Sequence, residues 1–336
     1  MPKSTHKIIL PLAGAAVGAA FGYLASQLVW AMRYLARQDV QRTLATPPNR
    51  FSSGLTFSAE QSEATYQVTR TIEDGIERVT YTPAKRRHDT PLLFQHGMWH
   101  GAWCWERWQA LFAEWGWESV AFSLPGHGES PEQRPIRLCT LDYYLAFLKA
   151  EVDRLPRKPV LIGHSMGGAL TQWYLRHVAD DLPAAVLAAS WPHKFHALAD
   201  GGRLCRLDPL GYLMIFSDWS ASGFMRSPES AARLLISPQA DITPEELHAR
   251  LDPESILVLL QHTLNWKAPY KVNTPLLIIA GQEDAILPFK EPLTSAMHYQ
   301  ADFYLAKGAG HNIQMEHNYA ETARHIHHWL INEGVK

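Results

Sequence analysis

The sequence predicts an α/β fold in which a mostly parallel sheet is covered by helices on both faces. From residue 66 onwards, short apolar runs typical of buried strands alternate with longer segments of helical periodicity. Polar residues that could do chemistry also follow the ends of several predicted strands, which is where open α/β sheets build their sites. These two observations indicate an enzyme-like architecture behind an unusual N-terminus.

The chain begins with an apolar segment long enough to cross a bilayer. Residues 8–32 are 25 residues without a charge, and a helix rising about 1.5 Å per residue would span a hydrocarbon core of roughly 30 Å. Gly14, Gly18 and Gly22 would share one helix face, which allows close packing in a homodimer. We therefore expect a single-pass transmembrane anchor, with a cleaved signal peptide or a buried helix as the alternatives. More basic residues follow the segment than precede it, which favours a cytoplasmic location for the remaining chain.

A polar stretch separates this segment from the folded core. Residues 33–64 are interrupted by Pro47 and Pro48, which predicts a juxtamembrane linker. Two alternating segments, Tyr66–Thr71 and Arg78–Thr82, then predict a pair of strands joined by a turn. The first part of the core is expected at residues 65–189.

The next predicted strand, Pro91–Gln95, ends in the motif H-G-M-W-H-G-A-W. A strand followed by H-G-x is where such a sheet supplies a backbone N–H to a developing oxyanion. We therefore expect the amide of Met98 to be one oxyanion donor. Its neighbour Trp99 is predicted to contact the substrate.

The most specific motif is G-H-S-M-G at residues 163–167. It lies between an apolar run that ends at Ile162 and a helical segment, which is the order of a nucleophile elbow. Glycines must flank the serine because the turn is strained and closely packed. Ser165 is the predicted nucleophile, the amide of Met166 the second oxyanion donor, and His164 a substrate contact.

The alternation of strands and helices stops after the sixth predicted strand. We expect a helical lid at residues 190–270, with the core resuming at residues 271–336, and with Trp191 of the lid contacting the substrate. The lid segments with helical patterns are Leu204–Phe216, Ala231–Ile236 and Pro244–His262.

Two further polar residues complete a catalytic set. A predicted strand at Thr274–Ala280 ends in G-Q-E-D, and one at Asp302–Leu305 ends in G-A-G-H. Asp284, rather than the adjacent glutamate, and His311 are therefore predicted as acid and base. With the serine they follow the order Ser, Asp, His of α/β-hydrolase triads.

Together with L-P-G-H-G-E-S at residues 124–130, these motifs resemble the α/β-hydrolase superfamily from about Tyr66 to the C-terminus. The H-G-x-x-H-G-A-W-x-W segment is similar to the plant methylesterase and hydroxynitrile-lyase branch. Those lyases carry threonine and lysine where this chain has Gly97 and Asn312, and haloalkane dehalogenases carry aspartate where it has Ser165. The resemblance therefore implies the α/β-hydrolase fold and hydrolysis.

Composition excludes several other functions. A formal net charge of -2 gives no electrostatic case for nucleic acid. The three cysteines are scattered without C-x-x-C spacing, which argues against a disulfide framework or a structural zinc site. The C-terminal helix carries His325, His327 and His328 without a carboxylate at a matching spacing, so we predict no metal and no cofactor.

The sequence therefore predicts a serine hydrolase that cleaves a carboxylic ester through an acyl-enzyme. A pocket rich in tryptophan beside a membrane anchor favours a lipophilic ester, with the bilayer as the second partner. A thioesterase, a C–C bond hydrolase and a cofactor-free haloperoxidase share these motifs and are alternatives. A noncatalytic binding protein on the same fold is the alternative from another class.

Overall fold

The computed structural model describes residues 54–194, 197–218, 220–266 and 268–336, together with isolated residues between 22 and 45. The chain divides into two units, Met1–Leu44 and Ala45–Lys336. In the first unit, the described residues are mainly helical, and the rings of Trp30 and Tyr34 stack 5.4 Å apart.

The predicted membrane anchor falls almost wholly outside the described residues. Among those that are described, no helix combines the length and the apolar character needed to cross a bilayer. Of the three glycines expected at a dimer interface, only Gly22 is described, and a Cβ there would have no neighbour within 4 Å. Anchor and dimer therefore stay predictions.

A nine-stranded sheet forms the centre of the second unit, counted over the described residues, in the order β1-β2-β3-β5-β4-β6-β7-β8-β9. The strands from β5 to β9 in that order run parallel, and β1, β2 and β3 extend the sheet antiparallel. The strands are β1 (Leu55–Ser62), β2 (Tyr66–Glu73), β3 (Ile76–Pro83), β4 (Leu92–Gln95), β5 (Ser119–Phe122), β6 (Val160–His164), β7 (Ala185–Ala188), β8 (Leu276–Gly281) and β9 (Asp302–Ala306). The predicted α/β fold with a mostly parallel sheet is confirmed.

Among the described residues, five α-helices of the second unit, between Ala197 and Asn265, form an insertion between β7 and β8, and the other α-helices of this unit follow individual strands. The helix Glu106–Glu114 packs against Tyr319–Asn332, and Leu141–Arg154 packs against Met166–His177. The helices are α1 (Glu106–Glu114), α2 (Leu141–Arg154), α3 (Met166–His177), α4 (Ala197–Leu207), α5 (Pro209–Asp218), α6 (Pro228–Leu235), α7 (Pro244–His248), α8 (Ile256–Asn265), α9 (Lys290–Tyr299) and α10 (Tyr319–Asn332).

Complete burial of the strands in the middle of the sheet explains why they could be predicted from uninterrupted apolar runs. Every residue of β4, β5, β6, β7 and β8 is buried. Parallel strands covered on both faces need apolar residues at successive positions rather than in alternation. The carboxyl ends of these strands meet at one edge, and the predicted site residues follow them.

The structure differs from the prediction at the first strand. The linker assigned to residues 33–64 is wrong over Leu55–Ser62, which pairs with β2 as an edge strand. All eight residues of β1 are exposed, so the strand is held by backbone pairing and shows no buried apolar face. The helical insertion consequently follows the seventh strand, not the sixth.

The insertion also contains more breaks than its periodicity suggested. The segment predicted as one helix, Leu204–Phe216, is interrupted because Pro209 begins α5 and the Asp208 carboxylate accepts a hydrogen bond from the Gly211 amide at 3.0 Å. The segment predicted at Pro244–His262 is likewise two helices, and Ser255 caps the second of them.

Candidate active site

Ser165 lies on the tight turn between β6 and α3. Its backbone has φ 52° and ψ -114°, a conformation that costs of order 1–3 kcal/mol for a residue with a side chain. Three backbone hydrogen bonds hold it there: the Ser165 amide donates to the Ala188 carbonyl on β7 at 3.0 Å, and the Ser165 carbonyl accepts from the amides of Ala169 at 3.1 Å and Trp191 at 3.5 Å. The turn lifts the hydroxyl above the carboxyl end of the sheet.

The two glycines of the motif are required by close approach. A Cβ on Gly163 would lie 2.3 Å from the Gly167 carbonyl oxygen. A Cβ on Gly167 would lie 2.3 Å from the carbonyl oxygen of Gln95, on β4. No side chain fits at either position without moving backbone, so the glycines set how closely elbow and sheet pack.

The structure brings Ser165, His311 and Asp284 together. The Ser165 hydroxyl can donate to Nε2 of His311, 2.9 Å away, and Nδ1–H of His311 donates to Oδ2 of Asp284 at 2.8 Å. His311 follows β9 and Asp284 follows β8, and all three side chains are buried. This arrangement can activate a hydroxyl nucleophile, because the imidazole accepts its proton while the carboxylate fixes the tautomer.

Of the two adjacent acids, only Asp284 reaches the histidine. Its second oxygen, Oδ1, accepts hydrogen bonds from the amides of Ile286 and Leu287 at 2.9 and 2.8 Å. Glu283, by contrast, is exposed to solvent. The turn after β8 therefore fixes one carboxylate with one oxygen free for His311.

Met166 directly follows Ser165, and Met98 lies on the loop after β4. Within the described part of the chain, neither amide donates a hydrogen bond to a protein acceptor. Met166 begins α3, where the first amides have no intrahelical partner and the helix dipole favours negative charge. The loop that carries Met98 approaches closely, because a Cβ on Gly97 would lie 2.9 Å from Cβ of Ser165. Over the described residues, neither amide is thus occupied by a protein acceptor, and the role of the two as oxyanion donors stays a prediction.

Three buried histidines hold the segments around the serine. His164 donates from Nε2 to the His311 carbonyl at 2.9 Å. His96 accepts at Nε2 from the Leu124 amide at 3.0 Å and donates from Nδ1 to the Gly97 carbonyl at 2.7 Å.

The third of these histidines, His100, donates from Nδ1 to the Met98 carbonyl at 2.6 Å and accepts at Nε2 from Nδ2 of Asn312 at 3.0 Å. Burial lowers the pKa of His100 to about 4, and it also lowers the pKa values of His96 and His164 well below the usual range. All three rings are therefore neutral near pH 7.

The three predicted substrate contacts are buried around the site. The Trp99 carbonyl accepts from the amide of Asp252 in the insertion at 2.8 Å, and Trp99 itself adopts φ 63°. The Trp191 carbonyl accepts from Nε2 of Gln172 at 2.8 Å. The ring of His164 is used to hold the backbone of the His311 loop. Contact of these residues with substrate stays a prediction.

A buried ion pair fastens the insertion to the core. Nε2 of His127 lies 3.1 Å from a carboxylate oxygen of Glu254, and both side chains are fully buried. The other Glu254 oxygen accepts from the Tyr144 hydroxyl at 3.0 Å. Burial is the largest single influence and would lower the pKa of His127, but the Glu254 and Asp252 carboxylates and the Pro125 carbonyl together outweigh it and raise that pKa. Next to this pair, the Gly128 amide donates to the Asp252 carboxylate at 2.7 Å.

Sequence reasoning missed His100, Asn312, Asp252 and Glu254 as parts of this site. His100 and Asn312 stand inside or next to recognised motifs, and a polar residue directly after a catalytic histidine was a usable signal. Asp252 and Glu254 carry no sequence signal, because the partners named above lie 110 or more residues away in the chain.

The histidines of the C-terminal helix have other partners. Nδ1 of His327 accepts from the indole of Trp117 at 3.0 Å, and His325 stacks on Tyr304 with ring centroids 4.0 Å apart. Over the part of the chain that the structure describes, no three His, Cys, Asp or Glu side chains are grouped so as to hold a metal ion. The expectation that no cofactor is needed stays a prediction.

Comparison with known proteins places this geometry in a family. A family model described as the alpha/beta hydrolase family matches residues 92–325. A probable esterase of rice, PIR7A, is 28% identical over 171 residues, which are 49% of this chain and 62% of that protein. Methylesterase 10 of Arabidopsis thaliana is 34% identical over 106 residues, 30% of this chain and 38% of that protein. The chain thus spans at most about three-fifths of these curated relatives.

Among solved structures, a bacterial membrane phospholipase A matches with a TM-score of 0.57 and 18% identity, covering 98% of both chains. At this identity the match shows the fold. With the family model covering most of the second unit and the elbow, acid and histidine in the family's order, the chain belongs to the alpha/beta hydrolase family.

Proposed function

We propose that the protein is a serine hydrolase that cleaves carboxylic esters. The observation that carries this proposal is the hydrogen-bonded series from Ser165 Oγ through His311 to Asp284, at 2.9 and 2.8 Å, on a strained elbow. The names of the rice and Arabidopsis relatives, an esterase and a methylesterase, support the same reaction class.

In the proposed mechanism, Ser165 Oγ attacks the ester carbonyl while Nε2 of His311 takes its proton. The amides of Met98 and Met166 donate to the tetrahedral oxyanion, and Asp284 stabilises the imidazolium. Collapse of the intermediate breaks the bond to the alcohol, which leaves with the proton from His311. A water molecule activated by the same ring then hydrolyses the acyl-enzyme.

Two positions argue against lyase chemistry on this fold. The related lyases carry threonine where this chain has Gly97, and a side chain there would meet Cβ of Ser165 and Nδ1 of His164 at 2.9 Å. They carry lysine where this chain has Asn312, whose amide is bonded to His100. Hydrolysis therefore fits these positions better than cleavage of a cyanohydrin.

We further infer a lipophilic ester and a membrane location. The support is the uncharged segment at residues 8–32 and the exposed apolar side chains of Leu210 and Leu213 on α5 in the insertion. A membrane phospholipase A shares the fold over almost the whole chain. In this proposal the segment anchors the protein in the bilayer, with Gly14, Gly18 and Gly22 on a face that allows a homodimer.

The proposal is tested by reaction with a fluorophosphonate and by turnover of p-nitrophenyl esters of two to sixteen carbons. Wild-type protein should be labelled at Ser165 and should prefer chains longer than acetate. Ser165→Ala should keep the fold by circular dichroism and lose at least about a thousandfold in kcat. Labelling of Ser165→Ala, or no labelling of the wild type, would favour a noncatalytic binding protein or a different nucleophile.

A further inference from the structure

The loop that carries Met98 is held by three successive carbonyls. The Gly97 carbonyl accepts from Nδ1 of His96 at 2.7 Å, and the Met98 carbonyl accepts from Nδ1 of His100 at 2.6 Å. The Trp99 carbonyl accepts from the Asp252 amide at 2.8 Å. The Gly97 carbonyl shares its peptide with the Met98 N–H, so His96 fixes the expected oxyanion donor directly, and His100 and Asp252 fix the two peptides that follow it.

The His100 ring connects this loop to the loop of the general base. Its Nε2 accepts from Nδ2 of Asn312 at 3.0 Å, and both side chains are at most 1% exposed. Asn312 directly follows His311 in the chain, and the backbone amide of Asn312 donates to the Leu235 carbonyl at 2.7 Å. On the other side, His164 donates to the His311 carbonyl at 2.9 Å.

We propose that His100 and Asn312 are positioning residues that hold the Met98 amide in register with His311. The proposal rests on the serine-hydrolase function, but it concerns residues that do not touch the reacting atoms. An oxyanion donor acts in the tetrahedral state and hardly at all in the bound ester, so its alignment governs kcat more than KM. His96 orients the peptide of the donor itself. The hydrogen bonds that His100 donates to the Met98 carbonyl and that Asn312 donates to His100 fix the next peptide relative to the loop of His311.

The two hydrogen bonds also explain why position 100 requires a histidine. Nδ1–H is the donor to Met98, and Nε2 is the acceptor from Asn312, so one neutral tautomer satisfies both neighbours. An asparagine at position 100 can place an amide N–H near the Nδ1 position but does not reach Asn312. A glutamine reaches the Nε2 position but leaves the Met98 carbonyl without its donor.

The test compares His100→Asn, His100→Gln, His100→Ala and Asn312→Ala, with Asn318→Ala as the matched control. Asn318 likewise donates its side-chain amide, but to the loop carbonyl of Lys307 at 2.9 Å rather than to His100. Active sites are counted by the endpoint of fluorophosphonate labelling. The readouts are kcat and KM for p-nitrophenyl butyrate, Ki for a boronic acid that forms a tetrahedral adduct with Ser165, and the melting temperature.

We expect His100→Ala and His100→Gln to lose about 10- to 100-fold in kcat per labelled site, with KM within about twofold, since one oxyanion donor is worth 10²–10³. Boronate affinity should fall in parallel. His100→Asn should recover most of the loss, Asn312→Ala should lie between, and Asn318→Ala should match wild type. The order of kcat should not follow the order of melting temperatures.

Two results separate the possible failures. Wild-type protein that resists the fluorophosphonate would defeat the proposed function itself. Labelled variants with wild-type kcat per site, or losses in kcat that simply track melting temperature and are not rescued by asparagine, would defeat only the positioning role.

Discussion

The buried histidines around the elbow should make this protein sensitive to mild acid. His96, His100 and His164 are each at most 1% exposed. Burial lowers the pKa of His100 to about 4 and the pKa values of the other two well below the usual range. In the unfolded chain, each ring takes up a proton near pH 6.5. Acid therefore protonates the unfolded state first.

The sign and size of the effect follow from that difference. Because the folded pKa lies below the unfolded one, stability present above pH 6.5 is lost as the pH falls towards the lowered pKa. Each ring costs about 1.4 kcal/mol per pH unit, and three rings together cost about 4 kcal/mol per unit. Integrated between pH 6.5 and 5, the loss is about 5 kcal/mol, which is comparable with the whole stability of many domains. His127, whose pKa is raised, brings no compensation there, since it is protonated in both states.

The measurement is urea unfolding followed by tryptophan fluorescence at pH 7.0, 6.0 and 5.5. His164→Gln should be less stable than wild type at pH 7, but between pH 6.0 and 5.5 it should lose stability with a slope smaller by about 1 kcal/mol per pH unit. His317→Gln replaces an exposed histidine and serves as the control. Carboxyls with raised pKa, such as Asp142 and Asp252, are common to all three proteins and cancel in the comparison. Parallel pH profiles for wild type and His164→Gln would refute the reasoning.

Three further outcomes are expected. Asp284→Asn should lose roughly 10²–10⁴ in kcat because the His311 tautomer is no longer fixed. Glu283→Gln, at an exposed position, should keep kcat within about twofold of wild type. A larger loss in Glu283→Gln than in Asp284→Asn would show that the glutamate is the acid. Glu254→Gln should destabilise the fold by about 3 kcal/mol below pH 6.5. In thermal melts, the difference in stability between wild type and variant should become smaller as the pH rises through the raised pKa of His127. A difference independent of pH would show that the pair is not ionic. Removing residues 1–44 should leave hydrolysis of a short soluble ester unchanged and should move the protein out of the carbonate-resistant membrane fraction. Recovery of the full-length protein in the soluble fraction would contradict the predicted anchor.

The buried centre of the fold was predictable because its physics is local in sequence. Strands β4, β6 and β8 are buried over their whole length, so each appears as an uninterrupted apolar run ending in the polar residues that chemistry needs. The nucleophile elbow adds a steric requirement for glycine at positions 163 and 167, and this requirement appears directly in the motif G-H-S-M-G. The residues that meet at the serine could therefore be named from order and spacing.

What could not be predicted depends on contacts between distant segments or on the absence of burial. Strand β1 is exposed on both faces, and its polar sequence resembles a linker because only backbone pairing holds it. The hydrogen bond between His100 and Asn312 joins residues 212 positions apart, and the ion pair of His127 with Glu254 joins residues 127 apart. No periodicity reports on such pairs, although each is a buried polar group that needed a partner.

The antiparallel extension of the sheet has a consequence for how the protein could be rebuilt. The chain reaches the sheet at β1, its outer edge, whereas the serine follows β6, five positions further in. At about 4.8 Å per strand, that places roughly 24 Å of hydrogen-bonded sheet between the point of attachment and the strand of the nucleophile. Whatever precedes Leu55 can therefore be exchanged, lengthened or fused to another protein while the reacting atoms keep their spacing. The N-terminal segment and the residues around Ser165 can change independently on this scaffold.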